Sequence, residues 1–204
     1  MPSVVAPPLV LLAGASGNTT AWEPIRKRLE KRRLVLTPEY PGLGNAPARP
    51  DLGSLDEVAD WLLLTLPPRF DLCALSMGGS LALRWALTVP DRVRRLVLVA
   101  SAGGVDARRL GGLDWREAFR CARPHAPGYF VEDATHYDDE LRSLGIPTLL
   151  VFGDEDLVAP PAVAQYLRER LPDAKLELIP EASHDIEAEF PDWVASAIEA
   201  HLRR

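Results

Sequence analysis

The sequence lacks four features that would assign it to particular classes of protein. Its two cysteines, Cys73 and Cys121, cannot supply the disulfide framework of a small secreted domain. No group of cysteine, histidine and acidic residues has the spacing of metal ligands, so we expect neither a metal nor another cofactor. The net charge of −6 gives no support for binding to nucleic acid. No apolar stretch has the length and uniformity of a membrane segment.

The N-terminal stretch also lacks the features of a secretory leader. No positively charged residue precedes the apolar run from Val4 to Leu12, and Pro7 and Pro8 interrupt that run. Cleavage after this run would also remove one strand of the predicted core. We therefore expect a cytoplasmic protein that has no contact with a membrane.

The residues that are present have the composition of an ordinary globular protein, with 47% hydrophobic and 25% charged residues. A chain of 204 residues is most simply one domain, residues 1–204, and is long enough to bury a full core. Short apolar runs alternate with helical patterns, which indicates an α/β fold with a parallel sheet. The predicted strands are Leu9–Ala13, Leu34–Thr37, Leu72–Leu75, Leu96–Ala100, Thr148–Phe152 and Leu176–Ile179. The predicted helices are Thr20–Lys31, Leu55–Leu66, Met77–Thr88, Pro161–Leu171 and Trp193–His201.

A serine lies at a sharp junction between the third predicted strand and the helix that follows. The pattern from Ala74 to Gly78 is a variant of G-x-S-x-G, with alanine at the first glycine position and Ser76 at its centre. Small residues on both sides of the serine are typical of a nucleophile elbow, where the chain turns too tightly for larger groups. A buried serine in a glycine-rich turn is also compatible with a structural role. The interpretation therefore depends on partners elsewhere in the chain.

Acidic residues and a histidine follow two later strands in the order that a catalytic serine requires. Asp154, Glu155 and Asp156 come directly after the fifth predicted strand, and His184 follows the sixth. Because the carboxyl ends of parallel strands meet at one edge of a sheet, we expect these groups to lie near Ser76. The order serine, acid, histidine is that of one hydrolase architecture and differs from both major serine-protease types. Spacing alone leaves open which of the three acids pairs with the histidine.

Five motifs in this order resemble those of the α/β-hydrolase family, and the resemblance covers nearly the whole chain. They are the first strand and its loop (Leu9 to Ala15, with Trp22 opening the next helix), Pro38 to Gly44 (similar to D-x-P-G-x-G), the elbow at Ser76, Gly153 to Pro160 (similar to G-x-x-D-x-x-x-P), and His184. The chain departs from the family pattern at Ala13, Ala74 and Leu75. At Ala13 the family usually has histidine before the glycine.

The resemblance implies the α/β-hydrolase fold, with a mainly parallel sheet of about six strands flanked by helices and a short cap insertion. The cap segment would be approximately residues 103–141, where the strand and helix alternation breaks, and short helices are predicted around Trp115–Ala122 and Tyr137–Leu144. Four aromatic residues of this segment either line a substrate pocket or pack the cap onto the core. They are Trp115, Phe119, Tyr129 and Phe130.

The resemblance also assigns roles to the residues that match the family motifs. Ser76 would be the nucleophile, His184 its base and Asp156 the acid that orients the histidine. The backbone N–H groups of Ala15 and Met77 would form the oxyanion hole. The implied substrate is a small carboxylic ester or thioester. The alternatives are a lyase or carbon–carbon bond hydrolase that carries the same triad, and a non-catalytic ligand-binding protein of this fold. We expect a monomer or a homodimer.

Overall fold

The computed structural model describes residues 6–203, so the first two residues of the Val4 to Leu12 run lie outside the described part. Six strands form one sheet in the order β2-β1-β3-β4-β5-β6, and every neighbouring pair is parallel. The strands are β1 (Leu9–Leu12), β2 (Val35–Leu36), β3 (Phe70–Leu75), β4 (Val93–Val99), β5 (Thr148–Gly153) and β6 (Ala174–Ile179). The predicted architecture of six parallel strands is confirmed.

Eight α-helices accompany the sheet in the described part of the chain. They are α1 (Glu23–Leu29), α2 (Leu55–Leu63), α3 (Gly78–Thr88), α4 (Arg116–Ala122), α5 (Tyr129–Glu132), α6 (Pro161–Arg170), α7 (Ile186–Glu189) and α8 (Pro191–Leu202). A 3₁₀ turn at Thr19–Trp22 precedes α1, so the chain is less regular there than the predicted helix Thr20–Lys31. Among residues 6–203, no helix is both long and apolar enough to cross a membrane.

Both faces of the sheet are buried, which explains why its central strands are almost uniformly apolar. Alternate residues of β1 point to opposite faces, so Leu9 and Leu11 belong to one core while Val10 and Leu12 belong to the other. Helices α1 and α8 cover the first face, and α2, α3 and α6 cover the second. Cys73 lies in the first core, and burial raises the pKa of its thiol well above the ordinary value.

The strands β3 and β4 begin earlier than their apolar patterns predict, because charged residues are part of them. Asp71 in β3 is fully buried, and its Oδ2 atom lies 2.7 Å from nitrogen atoms of Arg33 and of Arg94 in β4. Two guanidinium groups offset the cost of burying this carboxylate. A pattern that ends strands at charged residues therefore misses the first two residues of β3 and the first three of β4.

The cap segment, residues 103–141, is mostly irregular, with four short helical pieces. Helix α4 lies within the predicted Trp115–Ala122. The second prediction was too long, because the structure has only a 3₁₀ turn at Glu140–Ser143 in place of a helix over Tyr137–Leu144. No sequence pattern predicts α5 or the 3₁₀ turn at Ala107–Leu110. Each spans only four residues, which is too short to display an apolar periodicity.

Candidate active site

The loops at the carboxyl edge of the sheet surround Ser76, which occupies a sharp turn between β3 and α3. Its φ of 48° lies in the left-handed region that residues other than glycine rarely adopt. Backbone hydrogen bonds hold the turn on both sides, from Ser76 N to the Val99 carbonyl (2.9 Å) and from Gly79 N to the Ser76 carbonyl (3.0 Å). The turn therefore exposes the serine side chain while fixing its backbone.

Small residues on either side of Ser76 allow this turn to pack against its neighbours. A Cβ atom at Gly78 would lie 2.4 Å from the carbonyl oxygen of Ala13, far inside van der Waals contact. A Cβ atom at Gly79 would lie 1.9 Å from the hydroxyl oxygen of Ser101. By contrast, Ala74 is fully buried within β3, where its methyl group is accommodated. The alanine at the first glycine position of the motif is thus compatible with the elbow.

A chain of hydrogen bonds joins Ser76, His184 and Asp156. The Oγ atom of Ser76 lies 2.9 Å from Nε2 of His184, and Nδ1 of His184 lies 2.8 Å from Oδ2 of Asp156. Asp156 is buried, and its Oδ1 atom accepts hydrogen bonds from the backbone N–H groups of Val158 (2.8 Å) and Ala159 (2.9 Å). Both carboxylate oxygens are therefore occupied, and the position of the carboxylate is fixed.

The other two acids of this loop have surroundings different from those of Asp156. Asp154 accepts a hydrogen bond of 2.7 Å from the backbone N–H of Glu181, while the Glu155 side chain is exposed to solvent. At Gly153, a Cβ atom would lie 2.1 Å from the carbonyl oxygen of Ala182. The glycine therefore lets the loop that carries Asp156 approach the loop that carries His184.

The backbone N–H groups predicted for an oxyanion hole lie beside the serine. A Cβ atom added at Gly14 would lie 3.3 Å from the Cβ of Ser76. The next residue, Ala15, lines the same surface recess as Ser76. Among residues 6–203, the N–H groups of Ala15 and Met77 have no hydrogen-bond acceptor. Met77 also immediately precedes α3, whose amino end favours negative charge.

Two cavities flank the pair Ser76 and His184. The first, of about 50 Å³, lies under the cap segment and includes Leu113 and Trp115 in its wall. The second, of about 260 Å³, is a recess on the side of the β1 loop, lined in part by Ala15. Ser76 and His184 thus have open space on two sides.

The aromatic residues of the cap segment have different positions from those expected of a pocket wall. Trp115 lines the first cavity, whereas Phe119, Tyr129 and Phe130 are not among the described residues that line it. Phe119 packs edge-on against Trp115, with ring centroids 5.7 Å apart. Tyr129 and Phe130 are buried where the cap segment meets the core, and this burial of apolar surface stabilises the fold. Of the two expected roles, the contacts of these three residues favour packing of the cap segment onto the core.

The titratable residues that line the two cavities include two to which the sequence assigns no role, His136 and Glu187. His136 lines the first cavity, and Glu187 lines the recess on the other side of Ser76. Glu187 is only 5% exposed, and its Oε2 atom has no hydrogen-bond partner among residues 6–203. Burial raises the pKa of Glu187 to about 7, with a smaller contribution from the negative charge of Asp185. No motif marks either residue; His136 is exposed, and Glu187 is placed by tertiary packing.

The site contains no arrangement suited to a metal. In the part of the chain that the structure describes, no three His, Cys, Asp or Glu side chains are grouped so that they could hold an ion. The groups that the geometry brings together are a hydroxyl, an imidazole within hydrogen-bond reach, a buried carboxylate and two N–H groups without an acceptor in the described residues.

Comparison with known proteins gives consistent results. A family model described as the alpha/beta hydrolase fold matches residues 7–130. The chain is 27% identical to a pimeloyl-[acyl-carrier protein] methyl ester esterase of Nitrosomonas europaea, over 95% of each chain. It superposes on a thermophilic esterase from Thermogutta terrifontis with a TM-score of 0.80 and 24% identity, over 98% of this chain and 90% of the other. An enol-lactonase from Burkholderia xenovorans gives a TM-score of 0.80 at 23% identity, over 98% and 92% of the two chains.

Proposed function

The chain belongs to the α/β-hydrolase fold family and is a hydrolase of the esterase type, and we propose that it cleaves small carboxylic esters or thioesters through a triad of Ser76, His184 and Asp156. The observation that carries this proposal is the chain of two short hydrogen bonds, from the serine hydroxyl through the imidazole to a buried carboxylate. A serine hydroxyl is a weak nucleophile by itself and requires such a base.

The reaction follows from this geometry. Nε2 of His184 accepts the Ser76 proton as Oγ attacks the acyl carbonyl, and the imidazolium then donates that proton to the leaving alcohol or thiol. The carboxylate of Asp156 holds a proton on Nδ1 of His184, which leaves Nε2 free to accept. Water, activated by the same imidazole, then hydrolyses the acyl-enzyme and releases the acid. No cofactor enters either half of the reaction.

The oxyanion that forms during each attack would be held by the backbone N–H groups of Ala15 and Met77. Both are free donors beside Ser76, and they require no side chain. Loss of one such donor typically reduces the rate by about 10²–10³-fold. The alanine at position 13, where the family usually has histidine, therefore leaves the donors themselves in place.

The substrate is proposed as an ester with a small alcohol. The 27% identical relative is named as an esterase for a methyl ester, so a methanol leaving group is the first to test. The two cavities on either side of Ser76, of about 50 and 260 Å³, are unequal in size. This inequality favours substrates in which one of the two parts of the ester is small.

Hydrolysis of p-nitrophenyl esters, from acetate to octanoate, tests the proposal, with methyl esters and thioesters of the preferred acid assayed next. We expect turnover that disappears in Ser76→Ala and persists in Ser143→Ala, a serine in an exposed turn far along the chain. A fluorophosphonate probe should label the wild type and leave Ser76→Ala unlabelled.

Equal turnover by wild type and Ser76→Ala would disprove the triad. Labelling at Ser76 without ester turnover would favour a lyase or a carbon–carbon bond hydrolase that uses the same triad. A folded protein that is neither labelled nor active would be a binding protein.

A further inference from the structure

The loop between β1 and α1 carries the proposed oxyanion donor Ala15, and two buried side chains hold its start. The hydroxyl of Tyr40 donates a hydrogen bond of 2.7 Å to the Ala13 carbonyl, and Nε1 of Trp22 donates one of 3.1 Å to the Leu12 carbonyl. Tyr40, Trp22 and Ala13 are each fully buried. Two consecutive carbonyl groups, immediately before Gly14 and Ala15, are therefore fixed in direction by side chains from other segments.

The Ala13 carbonyl is confined on its other side by the elbow. The Cα atom of Gly78 lies so close that an added Cβ would be 2.4 Å from this oxygen. Because a peptide group is planar, the direction of the Ala13 carbonyl also sets the orientation of the Gly14 N–H and of the backbone that leads to Ala15. Gly14 in turn lies beside Ser76, because a Cβ atom added at Gly14 would be 3.3 Å from the Cβ of the serine. The Tyr40 hydroxyl thus acts two residues away from the proposed donor.

We propose that Tyr40 is a positioning residue for the oxyanion hole, which acts through the Ala13 carbonyl and never touches the substrate. This inference rests on the proposed function and explains how the loop is held in a chain that has alanine at position 13. Without the hydroxyl, the Ala13 carbonyl would be buried without this partner, and the peptide groups up to Ala15 could reorient to satisfy it. The N–H of Ala15 would then be displaced from the oxyanion rather than removed.

The surroundings of Tyr40 keep its hydroxyl in the donating form. Burial raises its pKa well above the ordinary value, so the proton stays on the oxygen throughout the pH range of an ester hydrolase. Its ring packs edge-on against Phe130 of the cap segment, with centroids 5.0 Å apart. The cap segment therefore supports the oxyanion loop through Tyr40, although Phe130 does not line the first cavity.

The test compares Tyr40→Phe with Tyr129→Phe. Tyr129 is a matched control, since it is also buried and its hydroxyl also donates to a backbone carbonyl, that of Pro41 at 3.0 Å. We expect kcat for a p-nitrophenyl ester to fall about tenfold in Tyr40→Phe, below the 10²–10³-fold cost of losing a donor outright. We expect KM to change less than twofold. The affinity for a boronic acid, which forms a tetrahedral adduct on the serine, should fall by the same factor as kcat/KM.

Rescue separates hydrogen bonding from packing. Replacing Tyr40 by 4-aminophenylalanine keeps a hydrogen-bond donor on the ring and should restore most of the lost kcat. If Tyr40→Phe proves too unstable to assay, the amino variant should still have a kcat close to that of the wild type. The inference is overturned if Tyr40→Phe matches Tyr129→Phe in kcat and boronic acid affinity, or if the amino variant gives no more activity than phenylalanine. A wild type that neither hydrolyses esters nor binds the boronic acid overturns the proposed function, and the inference falls with it.

Discussion

The hydroxyl of Ser101 donates a hydrogen bond of 2.6 Å to the backbone carbonyl of Ser76. The same hydroxyl oxygen accepts one of 3.1 Å from the N–H of Gly103. A single buried side chain just after β4 therefore ties the strained elbow to the first residues of the cap segment. The left-handed backbone at Ser76 is maintained by its neighbours and not by its own preference.

Replacement of Ser101 by alanine should destabilise the protein by about 1–3 kcal/mol, because it removes a shared partner from two backbone groups in a buried region. Urea denaturation measures the change. Ser143→Ala is the control, since its hydroxyl also donates to a backbone carbonyl, that of Glu140, but on the surface. If both variants lose the same small amount of stability, Ser101 does not support the elbow.

Substitution of Gly78 by alanine should impair both folding and activity. The added methyl group would overlap the Ala13 carbonyl, a backbone atom that cannot rotate away. Overpacking of this kind typically costs about 1–3 kcal/mol. Gly145→Ala provides the comparison, because no described atom lies within 4 Å of its Cβ position and its backbone is not left-handed. Thermal unfolding and ester turnover of the two variants would reveal the difference, and a fully active Gly78→Ala would argue against a rigid elbow.

The change Asp156→Asn should reduce kcat by about 10³–10⁴-fold without unfolding the protein. Oδ1 of Asp156 accepts two backbone N–H groups, so the amide oxygen of asparagine would take that place and its NH₂ group would face Nδ1 of His184. The histidine would then carry its proton on Nε2, which could no longer accept the proton of Ser76.

Steady-state kinetics of Asp156→Asn and Asp154→Asn distinguish the two acids of the same loop. Asp154 accepts the Glu181 N–H and should be replaceable with less than a tenfold change in kcat. A larger loss in Asp154→Asn than in Asp156→Asn would reverse the assignment of the acid.

Glu187 should make the protein less stable as the pH rises from about 4.5 to about 7. In this range the folded state, with a pKa raised to about 7, holds a proton that the unfolded chain releases. Glu187→Gln cannot ionise, so we expect it to exceed the wild type in stability by about 2–3 kcal/mol at pH 8 and to match it near pH 4.5. Urea denaturation at both pH values measures this difference.

Glu189 provides a control of opposite sign for this measurement. Hydrogen bonds from the hydroxyl and the N–H of Ser183 lower its pKa, so its ionised form stabilises the folded state at neutral pH. Glu189→Gln should therefore lose stability at pH 8 and converge with the wild type in acid. A Glu187→Gln protein that behaves in the same way would show that Glu187 is ionised and well solvated.

Much of the fold could be predicted from the sequence because its strands are apolar on both faces. Apolar runs such as that of β1 are typical of a parallel sheet, and their alternation with helical patterns predicts the sheet and its flanking helices. The errors occur where tertiary contacts override local pattern. Asp71 lies inside a strand, where Arg33 and Arg94 pair with its buried carboxylate. The edge strand β2 is only two residues long, where the sequence pattern predicts four.

The residues of the candidate site also fall into two groups, those that the sequence predicts and those that only tertiary contacts place. Ser76, Asp156 and His184 follow predicted strands, so the topology of a parallel sheet alone indicates that they meet at one edge. The hydrogen bond from Tyr40 to Ala13 joins residues 27 positions apart and has no sequence signature. Glu187 interrupts an apolar pattern in the same way as any exposed acid, and its burial follows from the packing of α7. The cap aromatics were undetermined because composition does not distinguish a pocket wall from a packed interface.

At Ser76 the requirement of catalysis conflicts with that of folding: catalysis needs a serine hydroxyl, whereas the left-handed backbone favours glycine. Glycine adopts a φ of 48° freely, whereas serine and alanine both bear the cost of their Cβ atom. Where catalysis is no longer selected for, a change of this serine to glycine would therefore stabilise the fold, whereas a change to alanine would not. Glycine at this position is thus the change expected in a relative that keeps the fold but no longer uses it for catalysis.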